Sequence, residues 1–157
     1  MKKLYNTGIL FIATGMFAGY IPFAPGTFGS MIGAGLYYFL WGRISLYQSF
    51  IVLLGIFLTG LFAAGRAEKI LHEHDSKKIV IDEIAGMYVT MLFIPASVTN
   101  LLTGFLCFRA FDILKPYPIS SIDTKVRGGM GVMLDDIVAG VFANVAAHVL
   151  IFFYEIL

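Results

Sequence analysis

Charge is scarce in this chain. Only 13% of its 157 residues are Asp, Glu, Lys or Arg, about half the share of an ordinary soluble domain. That excludes a protein that must cover its whole surface with water-facing side chains. Cysteine is scarcer still: Cys107 stands alone, so neither an intramolecular disulfide nor a cysteine-rich metal site is available. The three histidines, His72, His74 and His148, form no H-E-x-x-H pattern. His72 and His74 belong to a polar, solvated stretch, and His148, deep in an apolar run, is expected to make an interhelical hydrogen bond. A net charge of +1, with no basic stripe interleaved with aromatics, excludes a nucleic-acid partner. No linker rich in Pro, Ser or Gly divides the sequence, which predicts one domain over residues 1–157.

Apolar sequence is abundant. Hydrophobic residues make up 59% of the chain, and the mean hydropathy is +0.85. Uncharged windows run from Leu4 to Gly42, Ile44 to Gly65, Ile84 to Phe108 and Ile137 to Tyr154. Each reaches the roughly 18 residues that mark a membrane-spanning candidate. A chain this short cannot enclose four such windows in a soluble core. The expected fold is therefore all-α: a compact polytopic membrane bundle of about six helical segments, some short or re-entrant. The basic start, Lys2 and Lys3, is not read as a cleavable signal peptide, because no soluble composition follows it.

Pro22, Pro25 and Gly26 divide the first window into helices over about 4–21 and 27–41, with Thr27 or Ser30 capping the second. Further helices are predicted over about 46–71, 82–94, 97–114 and 130–154, with breaks at Pro95, Pro116 and Pro118 and a loop over PYPISSIDTKVRGG. Trp41 and the Tyr37–Tyr38 pair fit an interfacial aromatic belt. Threading six segments back and forth puts the turn before Thr27, the loops around 66–82 and 112–129, and the start of the last helix on one face. That face also collects Arg66, Lys69, Lys77, Lys78, Arg109, Lys115, Lys125 and Arg127, against Lys2, Lys3 and Arg43 opposite. The positive-inside tendency makes it cytoplasmic. A first segment lying near the interface would instead leave Lys2 and Lys3 on the same side.

The acids Asp82, Glu83, Asp112, Asp135 and Asp136 fall at the rims of these segments, in IVIDEIAGM, FRAFDILKP and GGMGVMLDDIVAG. Carboxylates gathered on one face repel unless a cation or protons neutralise them, which points to a divalent-metal site at a membrane surface. Asp82 and Glu83 open a helix, where an N-cap and a first-turn acid are both favoured. Adjacent side chains diverge by about 100° on a helix, so both serve one ion only near a terminus or at different remove. Asp135 and Asp136 pose the same choice, one capping and one facing inward. The preceding Gly128 and Gly129 leave backbone amides free for phosphate oxygens. Asp112 sits where the helix dipole disfavours an anion. Arg109, three residues earlier, forms either a structural ion pair with it or a phosphate clamp. Lys115 adds a point charge suited to phosphate or to an anionic headgroup.

An all-oxygen ligand set suits Mg²⁺, and with Arg109 and Lys115 it suits phosphoryl transfer more than redox or acyl chemistry. Cys107 is not followed by the arginine of a cysteine-phosphatase loop, and no D-x-D-x-T run supplies an aspartyl nucleophile. A water activated by the metal is the preferred nucleophile, with a carboxylate of the chain as the alternative. The rival outside enzymology is a cation transporter, which would need acids near the midplane or on both faces.

The stretches PFAPGTFGS (22–30), IDEIAGM (81–87), FRAFDILKPYPI (108–119) and GGMGVMLDDIVAG (128–140) resemble the phosphatidylglycerophosphatase A family of bacterial membrane lipid phosphatases. The resemblance implies an Mg²⁺-dependent phosphatase that converts phosphatidylglycerol phosphate to phosphatidylglycerol and inorganic phosphate. It implies a multi-pass protein of the bacterial inner membrane with its active site facing the cytoplasm. It assigns Asp82, Glu83, Arg109, Asp112, Lys115, Asp135 and Asp136 to the family's polar motif positions. Pro25, Gly26, Thr27 and Ser30 match its first motif, where they line the headgroup or shape the second helix. A broader specificity, extending to phosphatidic or lysophosphatidic acid, is the enzymatic alternative.

Overall fold

The computed structural model describes residues 2–74 and 76–156; Met1, Asp75 and Leu157 lie outside the described residues. Among those described there are helices and no strands. They are α1 (Lys2–Ala13), a 3-10 turn over Ala18–Tyr20, α2 (Pro25–Leu40), α3 (Leu46–Leu71), α4 (Ile81–Met91), α5 (Val98–Leu114), α6 (Ile119–Lys125) and α7 (Gly128–Ile156).

Local chemistry explains most of the ends. Pro25 opens α2, where its missing N–H costs nothing. Ser45 and Gln48 form a reciprocal capping box on α3. Ser97 accepts from the Asn100 N–H at the head of α5. The end of α4 is buried, and its last carbonyls need donors that water cannot supply. Asn144 of α7 supplies them, its Nδ2 lying 2.8 Å from the oxygens of both Thr90 and Leu92.

α4 is the post of the bundle. Ten of its eleven residues, all but Glu83, are buried, and α2, α3, α5 and α7 pack around it. α2 and α7 run parallel to it. Gly26 faces Glu83 and the Tyr37 hydroxyl donates to the Ile94 carbonyl, while Gly86 lies against Asp136 and Asn144 reaches Leu92. α3 and α5 run antiparallel, with Gly60 near Ile81 and Tyr88 donating to Ser49, and with Phe108 near Gly86 and Gly104 near Met91. The expected convergence of the acidic motifs at one end follows from these directions.

The outside of the bundle is apolar. Leu54, Leu58, Phe62, Leu106, Val145 and Phe153 are each more than half exposed. α3 and α7 are long and apolar enough to cross a membrane, with a hydropathy of 2.0 over their most apolar windows. Only 22% of each window is buried, unlike the core helix of a soluble domain.

Four expectations are corrected. The first helix ends at Ala13 rather than near residue 21, because Gly15, Met16 and Phe17 all take positive φ and turn the chain back. Tyr5 and Asn6 then lie beside Arg66, Lys69 and His72, and Gly19 lies against Lys78. Both ends of this segment are thus at the acidic end, and it does not cross the bundle. Neither Thr27 nor Ser30 caps α2; Ala24 holds the N-cap position without a side-chain bond. The stretch 119–125 forms α6, with Pro118 harmless at its N-cap. His148 bonds the Asn144 carbonyl of its own helix at 2.9 Å, not a neighbouring helix.

Candidate active site

Five elements bring the acidic motifs together: the N-termini of α2 and α4, the last turns of α5, α6, and the second turn of α7. Gly26 is where α2 meets the site. A Cβ there would lie 2.2 Å from Glu83 Oε1 and 3.0 Å from Arg109 Nη1, so a side chain at this position would push those ends aside. α2 and α4 both present N-termini here, and the positive ends of their dipoles partly offset the carboxylates.

The five acids are sorted by partner. Asp82, Glu83 and Asp136 each offer a carboxylate oxygen, and those oxygens all lie within 4.8 Å of one another. Asp82 and Glu83 share the cluster because they occupy the first turn of α4, where neighbouring side chains converge on the helix mouth. Asp82 Oδ1 and Glu83 Oε2 are buried and accept no hydrogen bond, a costly state for a carboxylate unless something else neutralises it. Asp112 pairs with Arg109 one turn earlier and stays within electrostatic reach of Glu83 and Asp136. Asp135 diverges from Asp136 and accepts from Lys115 Nζ at 2.6 Å.

Lys115 caps α5 in the left-handed conformation, φ 40°. Its ammonium bridges Asp135 and, at 2.7 Å, Asp123 of α6. Burial opposes its charge, but these two carboxylates prevail and hold its pKa above the ordinary lysine value.

The residues present fit a divalent cation. The donors are all oxygen, two of the oxygens lack partners, and the three residues each offer one within 4.8 Å of the others, as a small hard cation requires. Asp82, Glu83 and Asp136 are the residues that would hold it. Asp112 and Asp135, grouped with them in the sequence, are engaged by cations of the chain itself.

Other expected site residues fall differently. Ser30 is buried, its hydroxyl donated to the Gly26 carbonyl at 2.8 Å. Thr27 is half-buried in the first turn of α2. Gly128 is at the rim with φ 70° and open space around it, whereas Gly129 is packed on α3, where a Cβ would lie 2.1 Å from the Leu61 carbonyl oxygen. His74, in the loop after α3, pairs with Glu68 of α3 at 2.6 Å. Sequence reasoning missed Asp123, Gly86 and Asn144. Asp123 sits in a stretch read as loop. Asn144 carried a signal, as a lone amide within an apolar run.

A family model described as phosphatidylglycerophosphatase A matches residues 11–151. The chain is 38% identical over 133 residues to phosphatidylglycerophosphatase A of Escherichia coli (strain K12), covering 84% of this chain and 77% of that protein. It is 36% identical over 133 residues to the protein of the same name from Haemophilus influenzae, covering 84% and 82%. A putative phosphatidylinositol-3-phosphatase of Bacteroides thetaiotaomicron is 34% identical over 139 residues, covering 84% and 86%. No solved structure matches the chain.

Proposed function

The chain belongs to the phosphatidylglycerophosphatase A family, and from that membership we propose that it hydrolyses phosphatidylglycerol phosphate to phosphatidylglycerol and inorganic phosphate. It is a phosphatase, and its surface suits a membrane. The single observation that carries the mechanism is the Asp82–Glu83–Asp136 cluster, with two buried, partnerless oxygens, beside Arg109 at one end of an apolar bundle.

Asp82, Glu83 and Asp136 would hold Mg²⁺ in this reading. Bound there, the ion would neutralise phosphate charge and acidify a water. Arg109, reaching the mouth of α2 beside Glu83, binds the phosphate oxygens with its planar fork. Lys115 at the rim adds positive charge and fixes Asp135. Asp112, close to the trio yet outside it, accepts the proton of the attacking water. The water oxygen bonds to phosphorus, the phosphorus–oxygen bond to the lipid glycerol breaks, and the released alkoxide takes a proton from solvent. In this route positioning and charge neutralisation supply most of the acceleration.

The acidic end faces the cytoplasm of a bacterial inner membrane in this reading, with α1 re-entering there and α2, α3, α4, α5 and α7 passing through. Its support is the company of Arg66, Lys69, Lys77, Lys78, Lys125 and Arg127 at that end. There the phosphate of a lipid headgroup meets the carboxylates while the acyl chains remain in the bilayer.

A second headgroup is favoured by one observation, the name of the Bacteroides relative, which points to an inositol lipid phosphate. The deciding experiment is phosphate release by the purified protein in detergent with Mg²⁺. Its substrates are phosphatidylglycerol phosphate, phosphatidic acid and phosphatidylinositol 3-phosphate. Preference for the first by tenfold or more supports the reading, and preference for either of the others overturns it.

A further inference from the structure

An apolar groove of about 350 Å³ lies between α2 and α5, lined by Met31, Ala34, Val98, Leu101, Leu102 and Phe105. We propose that this groove holds one acyl chain of the lipid substrate. The inference rests on the lipid-phosphatase reading and adds to it a binding surface for the chain.

Continuity with the headgroup site is the first argument. Gly26 and Arg109 meet at the carboxylates, and the groove begins about one turn below both. Met31 is five residues along α2 from Gly26, about 7 Å, and Phe105 is four residues back along α5 from Arg109, about 6 Å. Ala34 and Leu101 continue at about 12 Å on each helix. A lipid whose phosphate meets Arg109 therefore has its hydrocarbon delivered to the upper end of this groove.

Length is the second argument. The groove reaches Val98, eleven residues from Arg109 and about 16 Å away. That is close to the depth of one leaflet, half of a hydrocarbon core of about 30 Å. A partner transmembrane helix would need an uninterrupted face of about 30 Å, whereas the 16 residues of α2 provide about 24 Å. The walls also fit a hydrocarbon: Ala34, Leu101 and Phe105 rest against the core, while Met31, Leu102 and Val98 are more than half exposed as its outer lips.

The other apolar grooves lack this continuity. One lies between α3 and α7 and is lined by Leu54, Phe57, Leu134 and Ile137. It faces α3, whereas Asp135 and Asp136 turn toward Lys115 and α4. A larger cavity, about 480 Å³ around Tyr37, Trp41 and Phe93, opens at the opposite end of the bundle.

The test compares kcat/KM for dihexanoyl and dipalmitoyl forms of phosphatidylglycerol phosphate in detergent, for the wild type, Ala34→Leu, Met31→Trp and Leu54→Trp. Filling the groove with Ala34→Leu or Met31→Trp should lower the long-to-short ratio about tenfold, while Leu54→Trp, in the unconnected groove, leaves it unchanged. A ratio unchanged in both groove variants overturns the proposal, as does an equal fall in Leu54→Trp. Should the groove variants fail to fold, wild-type protein is irradiated with substrate bearing a photoreactive group in mid-chain. Crosslinks at Val98 or Leu102 support the groove, and crosslinks at Leu54 alone overturn it. If the wild type releases phosphate from neither lipid, the lipid-phosphatase reading fails, an outcome distinct from an unchanged ratio.

Discussion

Gly26 and Glu83 stand so close that a methyl group on the glycine would lie 2.2 Å from the carboxylate oxygen. The pair joins the mouth of α2 to the mouth of α4, and it makes a residue without chemistry of its own part of the site's geometry. Asp82 and Asp136 each have a carboxylate oxygen within 4.8 Å of the Glu83 carboxylate.

Gly26→Ala is expected to lower kcat/KM by about 100-fold, the scale of a displacement of about 1 Å at a reacting centre, with helix content unchanged. Phosphate-release kinetics alongside circular dichroism check this. Normal turnover would mean that Glu83 can move without consequence.

Asp82→Asn and Asp136→Asn should each lower kcat by about 100-fold or more, as expected when a charge-stabilising group is lost. EDTA should stop phosphate release and added Mg²⁺ should restore it. Full activity after thorough chelation would remove the metal from the scheme.

Lys115→Met deprives buried Asp135 of its cation. Since the lysine is partly solvated, the loss in stability should be about 2 kcal/mol, below the range for a fully buried pair. The folded pKa of Lys115 is raised. Its contribution is therefore fully present below the unfolded value of about 10.4 and is lost only as pH rises through the folded value. Thermal unfolding in detergent should show a wild-type advantage that is flat from about pH 6 to 9 and shrinks only in stronger alkali.

Gly129→Ala forces a methyl group onto the Leu61 carbonyl. The expected result is a lower unfolding temperature with KM unchanged in the protein that folds. A raised KM at unchanged stability would instead give this glycine a part in phosphate binding.

Much of this architecture was legible in the sequence because apolar windows and proline breaks act locally. The convergence of the acidic motifs followed from counting passes. The early end of α1 was not legible, since no proline or charge appears between Ala13 and Pro22. There the chain turns through positive φ at Gly15, Met16 and Phe17, and the Val80 N–H bonds the Ala13 carbonyl, a contact set by a distant segment. α6 was hidden by the two prolines beside it. The sequence placed Asp82, Glu83, Asp112, Asp135 and Asp136 together but could not divide them. The division depends on which partner each neighbour meets: Asp136 turns to α4 while Asp135, one residue earlier, turns to Lys115.

α4 carries Asp82 and Glu83 at its head and is walled in by its neighbours along its whole length. Its side chains, Glu83 apart, are buried among theirs. A bilayer around the bundle would press on α2, α3, α5 and α7, and changes in its thickness would reach the carboxylates only as strain passed through packed side chains. In a membrane, the carboxylates at the head of α4 would thus be mechanically insulated from the lipid around the bundle.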